Sequence, residues 1–251
     1  MSRTNIWIKI CANTSLEDAQ LAAEAGADAV GFIFAPSPRR VTIALAAKMI
    51  PHLPPALEKI GVFVDAPFDE IAATVEACGL TGVQLHFDAA PELAADLRAR
   101  FGPRLRILRV VHFDPPSAAE EISSVSGHDF SRAENAHTRD GALAPGASFS
   151  DPNIDAVLVD SRTATAVGGT GKAFDWARAS KSLFQNAEVR KQLIAAGGLT
   201  PDNVAEAIAT LRPWGVDVVS GVEAAPGKKD PEKVREFVVR ARVVGGNRIA
   251  S

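Results

Sequence analysis

The chain has 251 residues, 47% of them hydrophobic and 23% charged, with a formal net charge of -3. This is the composition of an ordinary globular protein and the usual length of one α/β barrel, and its weak acidity gives no reason to expect nucleic acid or an anionic membrane as a partner. No apolar stretch approaches the ~20 residues that span a bilayer; the two cysteines, Cys11 and Cys78, with no signal peptide ahead of them, form no disulfide framework and point to a reducing, cytoplasmic setting.

Hydrophobic runs alternate with helical patterns almost from end to end. They predict strands over 6–11, 28–34, 58–64, 82–86, 104–111, 155–160, 190–196 and 215–220. Strand-helix alternation favours a parallel sheet. Eight strands close a single (β/α)₈ barrel, one domain over residues 1–251, whose strand carboxyl ends share one face that holds the active site.

In the first strand Trp7, Lys9 and Cys11 share one face, while Ile6, Ile8 and Ile10 share the other. With the first set inward, Cys11 stands at the rim with Lys9 one layer below. A nearby cation lowers a thiol pKa, which would make Cys11 a usable base. The alternative is a small buried hydrophobe, a common fate of free cysteine and the expected one for Cys78. A lysine inside a barrel must be paired. Strand eight neighbours strand one and offers Asp217, so a Lys9–Asp217 ion pair is expected.

The first helix opens on a capping box of Thr14 and Glu17, with Leu16, Ala19 and Ala23 at helical spacing. After strand two, FAPSPRRV brings Arg39 and Arg40 to the rim, where a guanidinium can clamp a carboxylate or remain a solvated loop charge. Pro67 and Pro201 sit where a first helical turn tolerates proline. His86 ends strand four, as a polar contact or a satisfied core histidine. His112, His128 and His137 lack ligand spacing to Cys or Asp/Glu partners, so no metal is expected.

Residues 113–153 break the rhythm. A short helix fits 117–124, but Pro145-Gly146 and Pro152 favour loop, and the segment reads as a long insertion after strand five, mobile or lid-like. Asp160 ends strand six on the face of Ala156 and Leu158, as a general acid if its pKa is raised or otherwise as a cap or loop residue. Beyond it, Gly168-Gly169-Thr170-Gly171-Lys172 resembles a phosphate or lid loop without Walker spacing, with Gly169 and Gly171 as candidate substrate contacts. Gly197-Gly198 after strand seven and Ser220-Gly221 after strand eight fit the barrel phosphate site, built from backbone N–H groups and a helix dipole, although glycines also serve simply to turn a chain. The segment from Asp230 reads as the last helix.

These motifs together resemble the phosphoribosylanthranilate isomerase family of tryptophan biosynthesis. The matching segments are KICANTSLEDAQLAAEAGADAVGFIF, SPRRV, GVFV, GVQLH, LVDS, GGTGKAFDW, AAGGLTPDNVAEAI and VDVVSGVEAAPGKKDPEKV, with 113–153 outside. The resemblance implies an Amadori rearrangement of a phosphosugar substrate without a cofactor, by a monomer or homodimer. It implies Cys11 as general base, Asp160 as general acid, Arg39 as the anthranilate-carboxylate contact, His86 as the strand-four histidine, and Gly198, Ser220 and Gly221 as phosphate loops. The chain departs from the family pattern at Ala12, where KICG is usual, at Phe87, where glycine is usual, in a shorter approach to Arg39, and in the insertion. The rival readings are a histidine-pathway ribotide isomerase or bifunctional form, against which Cys11 argues, and a non-catalytic phosphate-binding relative.

Overall fold

The computed structural model describes residues 5–85, 91–112, 151–160 and 193–246. Its strands are β1 (Trp7–Ile10), β2 (Ala29–Ile33), β3 (Glu58–Phe63), β4 (Gly82–Leu85), β5 (Arg106–His112), β6 (Ala156–Asp160), β7 (Leu193–Ala196) and β8 (Gly215–Val218). All pair in parallel, each with the next, and β8 returns to β1 to close the barrel. The eight expected strands are therefore present in the expected order. The long insertion and its short helix fall almost wholly outside the described residues, as do residues 190–192.

The period-two pattern places the core in two shells. Trp7, Ile60, Leu108, Val110, Leu158 and Ile194 pack together inside the barrel. Ile8, Ile10, Val30, Phe32, Val157 and Val216 pack outward, under the helices. Room for the large inward side chains comes from small residues on the neighbouring strand. Gly215 is the register partner of Trp7, and a β-carbon there would lie 2.9 Å from the indole. Beneath, Trp7 stacks on Trp214 with ring centroids 5.2 Å apart.

The described helices are α1 (Leu16–Glu24), α2 (Ile43–Met49), α3 (Phe68–Cys78), α4 (Pro91–Phe101), α5 (Val204–Leu211) and α6 (Pro231–Gly246). The cap of α1 differs from the expected one. Ser15, not Thr14, is the N-cap and accepts from the Asp18 N–H at 3.1 Å. Thr14 Oγ1 instead donates to the Gly227 carbonyl, a contact no local pattern reveals. Pro67 is itself the N-cap of α3, one residue ahead of the first turn. The last helix begins as expected: Asp230 Oδ1 accepts from the N–H groups of Glu232 and Lys233 at 3.0 and 3.2 Å. Between β8 and α6 lies a small antiparallel hairpin, β9 (Glu223–Ala225) and β10 (Lys228–Lys229), around Pro226-Gly227.

Candidate active site

Cys11 is the first residue beyond β1 and is buried. Its N–H donates to the Val218 carbonyl at 2.9 Å, tying the rim of strand one to strand eight. Its sulfur occupies space that Gly31 of β2 leaves open, since a β-carbon on Gly31 would stand 2.4 Å from Sγ. The next residue, Ala12, is fully buried with φ of +62°, a left-handed conformation that costs a residue with a β-carbon about 1–2 kcal/mol. Asn13 holds that turn in place. Its N–H donates to Gly31 O at 2.9 Å, and its Nδ2 donates to Ile10 O and Gly31 O at 2.8 and 3.2 Å.

Below Cys11, the Lys9 ammonium is fully buried and donates to Asp217 Oδ1 at 3.0 Å and to Gln84 Oε1 at 2.8 Å. The expected ion pair is there, and Lys9 and Asp217 are register partners across the barrel seam. Burial acts to lower the Lys9 pKa, but the charges of Asp217 and Cys11 outweigh it, and the net shift is upward.

For Cys11 the expected downward push does not prevail. Desolvation is the largest influence and raises the thiol pKa; Lys9 pulls it down, Asp217 pushes it back up, and Lys229 pulls it down further, for a net rise. The sequence placed the cation correctly. What it could not weigh is that Asp217 offsets much of the help Lys9 offers, while burial acts at full strength on a thiolate.

Arg39 does not lie in the loop as a solvated charge. Its Nε donates to Glu223 Oε1 at 2.8 Å and its Nη2 to Glu223 Oε2 at 2.6 Å, a two-pronged pairing with a carboxylate that is only 4% exposed. Glu223 also meets Lys229, whose ammonium lies 3.4 Å from Oε1 and is fully buried. The Gly227 N–H donates to the same oxygen at 3.2 Å. Sequence reading missed Glu223, Lys229, Asn13 and Gly31. The first two flank a Pro-Gly turn that could have signalled a short hairpin.

Asp160 is buried at the carboxyl end of β6, in register with Ala196 on one side and His112 on the other. It shares strand parity with Ala156 and Leu158 of the inner cluster. The two glycine-rich turns stand beside each other. Gly197 and Gly198 have φ of +81° and +63°, so the turn alone is reason enough for glycine there. Gly221 has a different reason: a β-carbon on it would fall 1.8 Å from Leu199 O, so the turns after β7 and β8 touch backbone to backbone. Asn203 braces the first turn, donating through Nδ2 to Gly198 O at 2.9 Å and accepting from the Thr200 N–H at 2.8 Å. Ser220 is exposed in the short 3₁₀ turn Ser220–Val222. His86, Phe87, Gly169 and Gly171 lie outside the described residues.

Comparison with known proteins gives a consistent result. The family described as N-(5'-phosphoribosyl)anthranilate (PRA) isomerase matches residues 8–130 and 136–240. The match thus enters the 113–153 segment from both sides and leaves only 131–135 between its parts. The N-(5'-phosphoribosyl)anthranilate isomerase of Pelobacter propionicus is 41% identical over 234 residues, 93% of this chain and 94% of that protein. A crystal structure of phosphoribosylanthranilate isomerase in complex with reduced 1-(o-carboxyphenylamino)-1-deoxyribulose 5-phosphate is 29% identical with a TM-score of 0.69, covering 95% of this chain and 99% of that one. Monomers generated from the dimeric enzyme of Thermotoga maritima are 30% identical with a TM-score of 0.69, over the same shares.

Proposed function

Since this chain belongs to the N-(5'-phosphoribosyl)anthranilate isomerase family and is an isomerase of tryptophan biosynthesis, we propose that Cys11 is the general base and Asp160 the general acid of its Amadori rearrangement. Protonated Asp160 donates to the furanose ring oxygen, and the ring opens to a Schiff base. Cys11, as thiolate, takes the proton from C2 of the sugar. The enolamine so formed tautomerises to the ketone of 1-(2-carboxyphenylamino)-1-deoxyribulose 5-phosphate. The substrate nitrogen is the electron sink, and no cofactor takes part.

The observation that supports this reading is the placement of a buried thiol and a buried carboxylate at inward positions on the carboxyl ends of β1 and β6. The abutting turns at Gly198 and Ser220–Gly221 hold the phosphate through backbone N–H groups. Arg39, steadied by Glu223, meets the anthranilate carboxylate. His86, Gly169, Gly171 and Gly197 complete the substrate contacts. Anchoring both ends of the substrate fixes the reacting carbon and oxygen between the two groups.

The chain works in the cytoplasm on a small phosphosugar, with neither nucleic acid nor membrane as partner, as a monomer or as a homodimer. No described helix is long and apolar enough to cross a membrane, and both cysteines are free. Sedimentation equilibrium separates the two oligomeric states.

Replacing Cys11 with Ala, or Asp160 with Asn, is expected to lower kcat by about 10²–10⁴-fold while phosphate affinity stays nearly unchanged. Loss of anthranilate-substrate fluorescence reads the rate. Near-normal turnover in either variant overturns the assignment.

A further inference from the structure

Taking Cys11 as the base, its thiolate needs a positive charge held beneath it, and Lys9 stands one layer below on the same inward face of β1. The glycine beside them shows how closely the two side chains approach. A β-carbon on Gly31 would stand 2.4 Å from Cys11 Sγ and 3.1 Å from Lys9 Cε, so the sulfur and the lysine stem border one gap over β2 and lie no further apart than those two distances together. Gly31 has no positive φ, so its missing side chain serves to make room rather than to turn the chain. Asp217, the register partner of Lys9 on the adjoining strand, accepts from the fully buried ammonium through Oδ1 at 3.0 Å. With that carboxylate alone, a flexible four-carbon stem would settle against the β1–β8 seam, charge against charge. A second acceptor comes from the far side of the ring. Gln84 stands on β4, between the outward-packed Val83 and Leu85, and its Oε1 accepts from Lys9 Nζ at 2.8 Å. An ammonium only donates, so this bond also fixes which end of the amide faces it. Gln84 is 7% exposed, and the bond to Lys9 is its one hydrogen bond among the described residues.

We propose that Gln84 is a positioning residue for the base: a neutral acceptor reaching across the barrel that holds the Lys9 ammonium under the Cys11 sulfur, where Asp217 engages it through one oxygen only. Neutrality decides the residue type. A glutamate of the same shape would also accept from Lys9, but a second carboxylate would cancel the charge on which the thiolate depends. With an amide in its place, Lys9 and Asp217 balance each other while the thiol is protonated. Two of the three ammonium N–H groups are spent on Gln84 and Asp217, which leaves the third for the negative charge that forms above it. The charged groups that act on the sulfur are Lys9 of its own strand, Asp217 of β8 and, more weakly, Lys229 of β10. From the other sides β2 presents the bare backbone of Gly31 and β4 the uncharged amide.

The test is a direct titration of the thiol. The chain contains no tyrosine, so far-ultraviolet thiolate absorbance can be followed to high pH without phenolate, and subtracting the matching Cys11→Ser protein removes the contribution of Cys78. Gln84→Met keeps the length of the side chain and loses the acceptor. It is expected to leave about tenfold less Cys11 thiolate at a given pH below the midpoint, with the ascending limb of the kcat–pH profile moving to higher pH by the same amount. Made in Lys9→Met/Asp217→Asn, the same substitution moves nothing, because no ammonium is left to position. Gln84→Glu keeps both the shape and the bond to Lys9, so a role in packing alone predicts no change; the expected result is a midpoint raised at least as far as in Gln84→Met. A midpoint unmoved in folded Gln84→Met or Gln84→Glu, or moved by Gln84→Met equally with and without Lys9, overturns the proposal. A midpoint that moves while the kcat limb stays supports the placement of the ammonium and overturns Cys11 as the base.

Discussion

Ala12 holds a left-handed conformation that glycine adopts without strain, and it does so immediately after the thiol. The strain is retained because Asn13 and Gly31 over-determine the turn with three hydrogen bonds. Ala12→Gly is therefore expected to raise stability by about 1 kcal/mol, which for a chain of this size means a Tm about 2–4 °C higher. Differential scanning calorimetry reads it, and an unchanged or lower Tm contradicts the strain. The alanine was visible in KICANTS as a departure from the family pattern. Its conformation was not, because φ at a rim residue is set by where the next polar side chain finds its carbonyls.

Secondary structure was read well where the signal was local. The alternation of Trp7, Lys9 and Cys11 against Ile6, Ile8 and Ile10 survives intact in β1, because side chains on a strand must alternate whatever it packs against. The cap of α1 was misread by one residue because the Thr14 hydroxyl goes to a carbonyl 213 residues away, and Ser15 takes over the local work. The hairpin β9–β10 was overlooked altogether, and it carries an acid dependence. Burial acts to raise the Glu223 pKa, but hydrogen bonds from Arg39, the charges of Lys229 and Arg39, and the Gly227 N–H outweigh it and hold the carboxyl below its ordinary 4.5. Its contribution to stability is accordingly full above pH 4.5 and is lost as pH falls through the depressed folded value. Urea unfolding at a series of pH values should show a loss of stability on the acid side that Glu223→Gln flattens. Identical acid limbs in the two proteins would contradict that linkage.

Closure of the barrel joins the two ends of the chain, and two contacts show how. Lys9 and Asp217 meet across the β1–β8 seam from 208 residues apart. At the opposite rim, the Arg242 guanidinium of α6 donates to the Ile6 carbonyl, to Gly26 O at 2.7 Å and to Asp28 Oδ2 at 2.9 Å, which in turn accepts from the Ile8 N–H at 2.8 Å. The last helix thus pins the entry to β1 and β2. Arg242→Ala is expected to cost about 1–3 kcal/mol in urea unfolding, the value of hydrogen bonds to a charged group, with kcat and KM unaltered well below the transition. A stability within a few tenths of a kcal/mol of the parent would show that the staple contributes nothing.

Periodicity and spacing alone were enough for the eight strands, the single barrel, the rim positions of Cys11 and Asp160, and the pairing of Lys9 with Asp217. Each follows from alternation along a strand and from the neighbour relations of a closed sheet. Folding in three dimensions decided the rest: that Arg39 is gripped by Glu223, that Lys229 turns inward, that Ala12 is strained, and that the Cys11 thiol is pushed up rather than down. Desolvation and charge act through space between groups far apart in sequence, and their sum has a sign only once every neighbour is in place.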